Sequence, residues 1–127
     1  MTGYVSNIEE LTLQNTNFRA VLFTGSHMQL VVMTLKPLEE IGMEVHQDKD
    51  QFFRFESGEG KVIMNGEESI VKDGFVAIIP AGTQHNVINT SSDKELKLYT
   101  IYSPAEHRDG VVHATKAIAQ ADTTDHV

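Results

Sequence analysis

Between Asp73 and Asn89 the chain reads DGFVAIIPAGTQHNVIN. Gly74, Pro80, Gly82, His85 and Asn89 stand there in the pattern G-x5-P-x-G-x2-H-x3-N. Each position constrains the backbone differently. Gly74 opens a turn, because glycine alone enters left-handed backbone freely. Phe75 to Ile79 is a short apolar run of strand length. Pro80 has no N–H to donate and ends the pairing. Gly82 completes a Pro-Ala-Gly corner, and His85 opens the next strand. A chain built this way folds as β structure with tight corners, and it sets an imidazole at one of them. Asn89 is read as a tie to local backbone.

The rest of the sequence follows the same pattern. Phe18 to Thr24 and Met28 to Leu35 are apolar and β-branched, and the residues between them form a hairpin turn. Lys36-Pro37 ends the second strand. Ile41 to His46, Gln51 to Phe55, Lys61 to Met64 and Glu68 to Val71 are strands, and Asn65-Gly66 is a type I′ hairpin turn. Phe75 to Ile79, His85 to Ile88 and Leu96 to Tyr102 complete about nine strands at regular spacing, the pattern of a sandwich or closed barrel. After Pro104 the chain becomes polar and alanine-rich, with a short helix expected over Thr115 to Ala121, capped by Thr115. The expected organisation is one all-β domain over residues 1–127, with a barrel core at about 18–103 and a tail at 104–127.

A length of 127 residues suits one domain, and the absence of cysteine fits a reducing compartment. The N-terminus lacks a basic region followed by an apolar run, and the apolar stretches are strand-sized, so a cytoplasmic location is expected. The formal net charge is −8, with Lys and Arg scattered. That argues against nucleic acid and against an anionic membrane as partners, since both require a basic face. A small molecule is the expected partner.

The Gly74–Asn89 pattern resembles the second signature of the cupins, whose histidine binds a metal inside a small barrel. Their first signature, G-x5-H-x-H-x3or4-E-x6-G, aligns with IGMEVHQDKDQFFRFESGEG at Ile41 to Gly60. With the longer spacing, the histidine positions fall on Glu44 and His46, the glutamate on Gln51 and the last glycine on Gly58. The opening glycine falls on Leu38. One histidine is thus kept, the other is Glu, and the glutamate is Gln. Strand alternation puts Glu44 and His46 on one face, and Gln51, Phe53 and Phe55 on one face with Phe52 and Arg54 opposite. The resemblance therefore implies a ligand set of Glu44, His46, Gln51 and His85 for one divalent transition metal: Zn, Mn, Ni or Fe. A competing register uses Asp48, two residues after His46, as a ligand.

From Asn7 to about Lys116 the chain is similar to small stand-alone bacterial cupins, some described as mannose-6-phosphate isomerase-like. The implied fold is a double-stranded β-helix, or jelly-roll barrel. Three functions follow as expectations. One is a metal-dependent isomerase or lyase on a small oxygenated, sugar-derived substrate, with Tyr99, Tyr102, His107 or His113 moving the proton. Another is an Fe(II)-dependent dioxygenase, since two histidines and a carboxylate are the minimum set for non-haem iron. The last is a non-enzymatic small-ligand module. A sugar phosphate would need an inward cation; Arg54 lies on the wrong face, and Arg19 and Lys97 are undecided. The family also implies a homodimer, with Phe18 to Leu35 pairing across the two-fold axis.

Overall fold

The computed structural model describes residues 2–127. Helix α1 (Ile8–Gln14) begins at Asn7, whose side chain accepts from the Glu10 N–H at 3.1 Å. Nine strands follow: β1 (Arg19–Thr24), β2 (Gln29–Leu35), β3 (Asp50–Ser57), β4 (Glu59–Met64), β5 (Glu67–Lys72), β6 (Val76–Ile79), β7 (His85–Asn89), β8 (Leu96–Ser103) and β9 (Val112–His113). Helix α2 (Lys116–Ala121) has Thr115 as its N-cap, as the sequence suggested.

The strands form two facing antiparallel sheets. One has the order β6-β3-β8-β2-β1-β9, the other β5-β4-β7. Direct cross-strand partners point to the same face. The row Gln29–Tyr102–Gln51–Ile79 therefore shares the inner face, as does Val31–Thr100–Phe53–Ala77. Phe53, Phe55, Met33, Leu35, Leu96, Leu98, Val62 and Val87 fill the space between the sheets, each under 2% exposed. Gln51 thus lies at the polar end of an aromatic face, and Arg54 points outward to an ion pair with Glu56 at 3.0 Å.

One expectation needs correction. Ile41 to His46 is not a continuous strand: residues 40–46 meet β7 only at two isolated bridges, Glu40 with Ile88 and Glu44 with His85. Gly42, at φ 112°, bulges between them and donates its N–H to Asn86 Oδ1. Strands β1 and β2 lie inside the larger sheet. Each is flanked on both sides, and the edges of that sheet are β6 and β9.

Leu38, where the first cupin signature has glycine, adopts φ 64°. It is the third residue of a Lys36–Glu39 turn closed by a 3.0 Å hydrogen bond from the Glu39 N–H to the Lys36 carbonyl. With Pro37 second and a left-handed third residue this is a type II turn, which favours glycine at Leu38. Leu38 is 63% exposed and has little packing to lose. Leu38→Gly is therefore expected to stabilise the domain by about 0.5–1 kcal/mol, the left-handed penalty less the added chain entropy of glycine. Urea unfolding with an unchanged m-value would measure it.

Candidate functional site

The bridge between Glu44 and His85 brings the two signatures together. His85 opens β7 and faces inward beside the Phe53 ring, centroids 6.4 Å apart. Its Nδ1 lies 3.0 Å from the Thr83 carbonyl. A carbonyl only accepts, so Nδ1 carries the proton and Nε2 presents a lone pair. That lone pair faces Gln51 Oε1 at 3.2 Å. The Gln51 amide is oriented by its own donation to Thr100 Oγ1 at 3.0 Å. Two acceptors therefore point at one another in a buried place.

His46 stands next to this pair, its ring centroid 5.4 Å from that of His85 and 5.8 Å from that of Tyr102. Glu44 Oε2 is 3.1 Å from His46 Nε2 but out of line with the ring N–H direction, so Nε2 is buried without a hydrogen bond. The other nitrogen, Nδ1, lies 3.4 Å from Glu106. Burial pushes the Glu44 carboxyl up, but His46 beside it, with Arg19 and His85, outweighs that and holds it below the usual carboxylate range. The Glu44 carboxylate raises His46 against burial, whereas burial lowers His85. A His85–Gln51 pair thus stands beside a Glu44–His46 pair, although the ligand atoms of Glu44, His46 and His85 do not all lie within 4.8 Å of one another. These are ligand types that suit a divalent transition metal. Asp48 belongs to neither pair: its side chain is 78% exposed and pairs with Lys49.

The candidate acid–base residues separate. Tyr99 pairs with Arg54 and Val32 on the outer face, its ring 6.2 Å from that of Phe52, because it is one residue out of phase with Thr100. It is removed from the site. Tyr102 is inward and 2% exposed, and burial raises its phenol so that it stays protonated. His107 reaches it from the tail: Nδ1 is 2.6 Å from Asp125 Oδ2, and Nε2 accepts from the Tyr102 hydroxyl at 3.2 Å. Burial, with Arg19 nearby, lowers His107 to about 4 despite Asp125. His113 is buried and tied to Asp122 at 3.1 Å. Asn89 donates to the carbonyls of Leu35, Lys36 and Lys94 and is a backbone tie.

The tail supplies residues that the sequence did not single out. Gln29 holds it: Oε1 accepts from the N–H groups of Glu106 and His107, and Nε2 donates to the His107 carbonyl at 2.7 Å. His107, Asp125 and His126 form the one His/carboxylate trio, among the described residues, with ligand atoms all within 4.8 Å. This trio could hold a metal ion, although His126 Nδ1 is already 2.6 Å from Glu106 Oε2. Helix α2 walls a cleft of about 260 Å³ that opens onto Glu44, with Phe18, Arg19, Lys116 and Asp122 among its lining. Arg19 was detectable as a lone charge opening an otherwise apolar strand.

Comparisons with known proteins agree with this architecture. Residues 31–102 match the Cupin domain family model. YrkC of Bacillus subtilis, an uncharacterized protein, is 46% identical over 125 residues, 93% of this chain. L612 of Acanthamoeba polyphaga mimivirus, also uncharacterized, is 45% identical over 113 residues, 86% of this chain. The chain spans 66% and 70% of the lengths of these two relatives. The crystal structure of BH2720 from Bacillus halodurans superposes with a TM-score of 0.91 at 46% identity, covering 94% of both chains.

Proposed function

The chain belongs to the cupin family, and on that premise we propose that Glu44, His46, Gln51 and His85 hold one divalent transition metal at the base of a cleft for a small oxygenated substrate. The observation that carries this reading is the pair of facing acceptors, His85 Nε2 and Gln51 Oε1, beside the Glu44–His46 pair. Buried acceptors that face one another are costly, and a cation between His85 Nε2 and Gln51 Oε1 would satisfy both. A bound metal would polarise a carbonyl or hydroxyl oxygen as a Lewis acid. The chain's own residues would do the rest. Tyr102 stays protonated, gives its one proton to His107 Nε2, and leaves its hydroxyl oxygen to accept from a substrate hydroxyl. His107 and Asp125 hold the Tyr102 hydroxyl in place, and Phe53 keeps the inner side of the site apolar. These roles fit an isomerase or lyase.

Protein prepared without chelator is expected to hold close to one equivalent of Zn, Mn, Ni or Fe. His85→Ala is expected to weaken metal binding by roughly a hundredfold or more, since even losing an outer-shell partner costs 10–100-fold. His126→Ala is expected to leave binding unchanged. The reverse result would move the metal to the His107–Asp125–His126 trio. Metal absent from wild type, with His85→Ala unchanged in titration, would end the metal reading. Affinity is also expected to rise with pH through the His46 titration, because a metal must displace the proton that Glu44 helps His46 to retain. Iron together with oxygen uptake would favour a dioxygenase instead.

We further propose a homodimer formed through the outer face of the larger sheet. Phe23, Leu30, Ile101, Phe52 and Ile78 form one row across five strands there, and Ile78 is 60% exposed. A contiguous apolar row of this kind needs a cover. Sedimentation is expected to show a dimer at micromolar concentration and monomer for Ile78→Asp; monomer for both would remove the proposal.

A further inference from the structure

Arg19 opens β1 and pairs with Met33, a core residue, so its side chain enters the barrel. The residue is only 7% exposed. A buried guanidinium normally spends its donors on a carboxylate fork. Arg19 does not. The one carboxylate within 4 Å of it among the described residues, Asp125 Oδ2, is 3.9 Å from Nη1, beyond hydrogen-bond range. Its Nε is buried with no partner. The guanidinium carbon sits 5.2 Å from the centroid of the Phe18 ring. Phe18 and Arg19 both line the cleft that leads to Glu44, and Lys116 faces it from α2. The molecule thus holds a preplaced, underused planar cation beside its candidate metal site.

We propose that the cleft takes a small carboxylate-bearing substrate, its carboxylate held by the Arg19 guanidinium and its adjacent oxygen turned toward the Glu44–His46–His85 end. Two carboxylates in the lining do not forbid this. Asp122 is already matched by His113 at 3.1 Å and by Arg108 at 3.8 Å. Glu44 is matched by His46, or by a cation in the site. A 2-hydroxy acid, a 2-oxo acid or a short dicarboxylate carries the needed pair of groups. The position of the second oxygen rests on the metal reading above; the carboxylate arm does not.

Calorimetric titration with glycolate, pyruvate and malonate, each paired with its neutral amide, tests this in metal-free and metal-loaded protein. At least one acid is expected to bind, with its amide about tenfold weaker or worse, as the loss of a charge-assisted fork implies. Arg19→Met is expected to weaken that acid by about tenfold or more, and Arg19→Lys by less, because it keeps the charge without the fork. Thermal melts establish that each variant is folded, and Arg19→Lys serves if Arg19→Met is not. Acids and amides binding alike, no acid binding at millimolar concentration, or a folded Arg19 variant that binds the acid as wild type does would each overturn the proposal. Acid binding that persists in metal-free protein and in His85→Ala would uphold the Arg19 site even if the metal reading failed.

Discussion

Gly58→Ala is expected to destabilise the domain by about 3–5 kcal/mol, the sum of a left-handed backbone penalty and a backbone clash. Gly58 has φ 108°, and an added Cβ would lie 2.6 Å from the Glu95 carbonyl oxygen and 3.0 Å from Leu96 Cα. Neither neighbour is the free end of a side chain. Leu96 is fully buried and anchors the start of β8, so the strand cannot yield without opening the core. Gly66→Ala provides the control. It also has a positive φ, 84°, but nothing within 4 Å of the added Cβ. It is expected to cost only about 1–2 kcal/mol, the conformational part alone. Equal losses for the two variants in urea unfolding would show that Glu95 and Leu96 move aside and that the close approach is not what holds glycine at this position.

Asp125→Ala should have the second large effect, about 3–5 kcal/mol, the usual result of removing one partner from a buried charge pair. Asp125 is 1% exposed, and it faces His107 at 2.6 Å and Arg19 at 3.9 Å. Its loss leaves the guanidinium without a carboxylate within ion-pair distance. A pH dependence accompanies this cluster. Folded His107 titrates near 4, below the ordinary imidazole value of 6.5. The unfolded chain therefore binds a proton that the folded one refuses over that interval, and stability rises with pH between about 4 and 6.5. This contribution is complete above 6.5 and is lost as the pH falls. Denaturant melts across that range should show a shallower acid loss for His107→Gln than for wild type. Parallel curves would mean that His107 titrates normally in the folded state.

The parts of this molecule that were legible in its sequence are those governed by a short period or a single residue. Gln51, Phe53 and Phe55 share a face because strand side chains alternate, and Asn65-Gly66 makes its turn with φ 49° and 84° because few other pairs can. Thr115 caps α2 through a local hydrogen bond to Ile118. Helix α1 carried an equally local signal, Asn7 with Glu10 three residues on, and it could have been read the same way. The break at Gly42 was not legible, because a bulge is imposed by the partner strand. Tyr99 and Tyr102 look alike in the sequence, and only the register against β3 separates outside from inside. The tail was the least legible part. Its hold on the barrel runs through Gln29 to residues 78 positions away, and no periodicity reports a contact at that distance.

The way the tail returns also bears on how the protein should be handled. The Val127 N–H donates to the Glu106 carbonyl at 3.0 Å, and His126 lines the cleft itself. Anything that continues the chain beyond Val127 therefore emerges beside Glu106, one residue on from the cleft lining. A polyhistidine tag placed there would put imidazoles within reach of the very ion to be counted. An N-terminal tag, ahead of α1, is the arrangement under which metal content can be read as a property of the barrel.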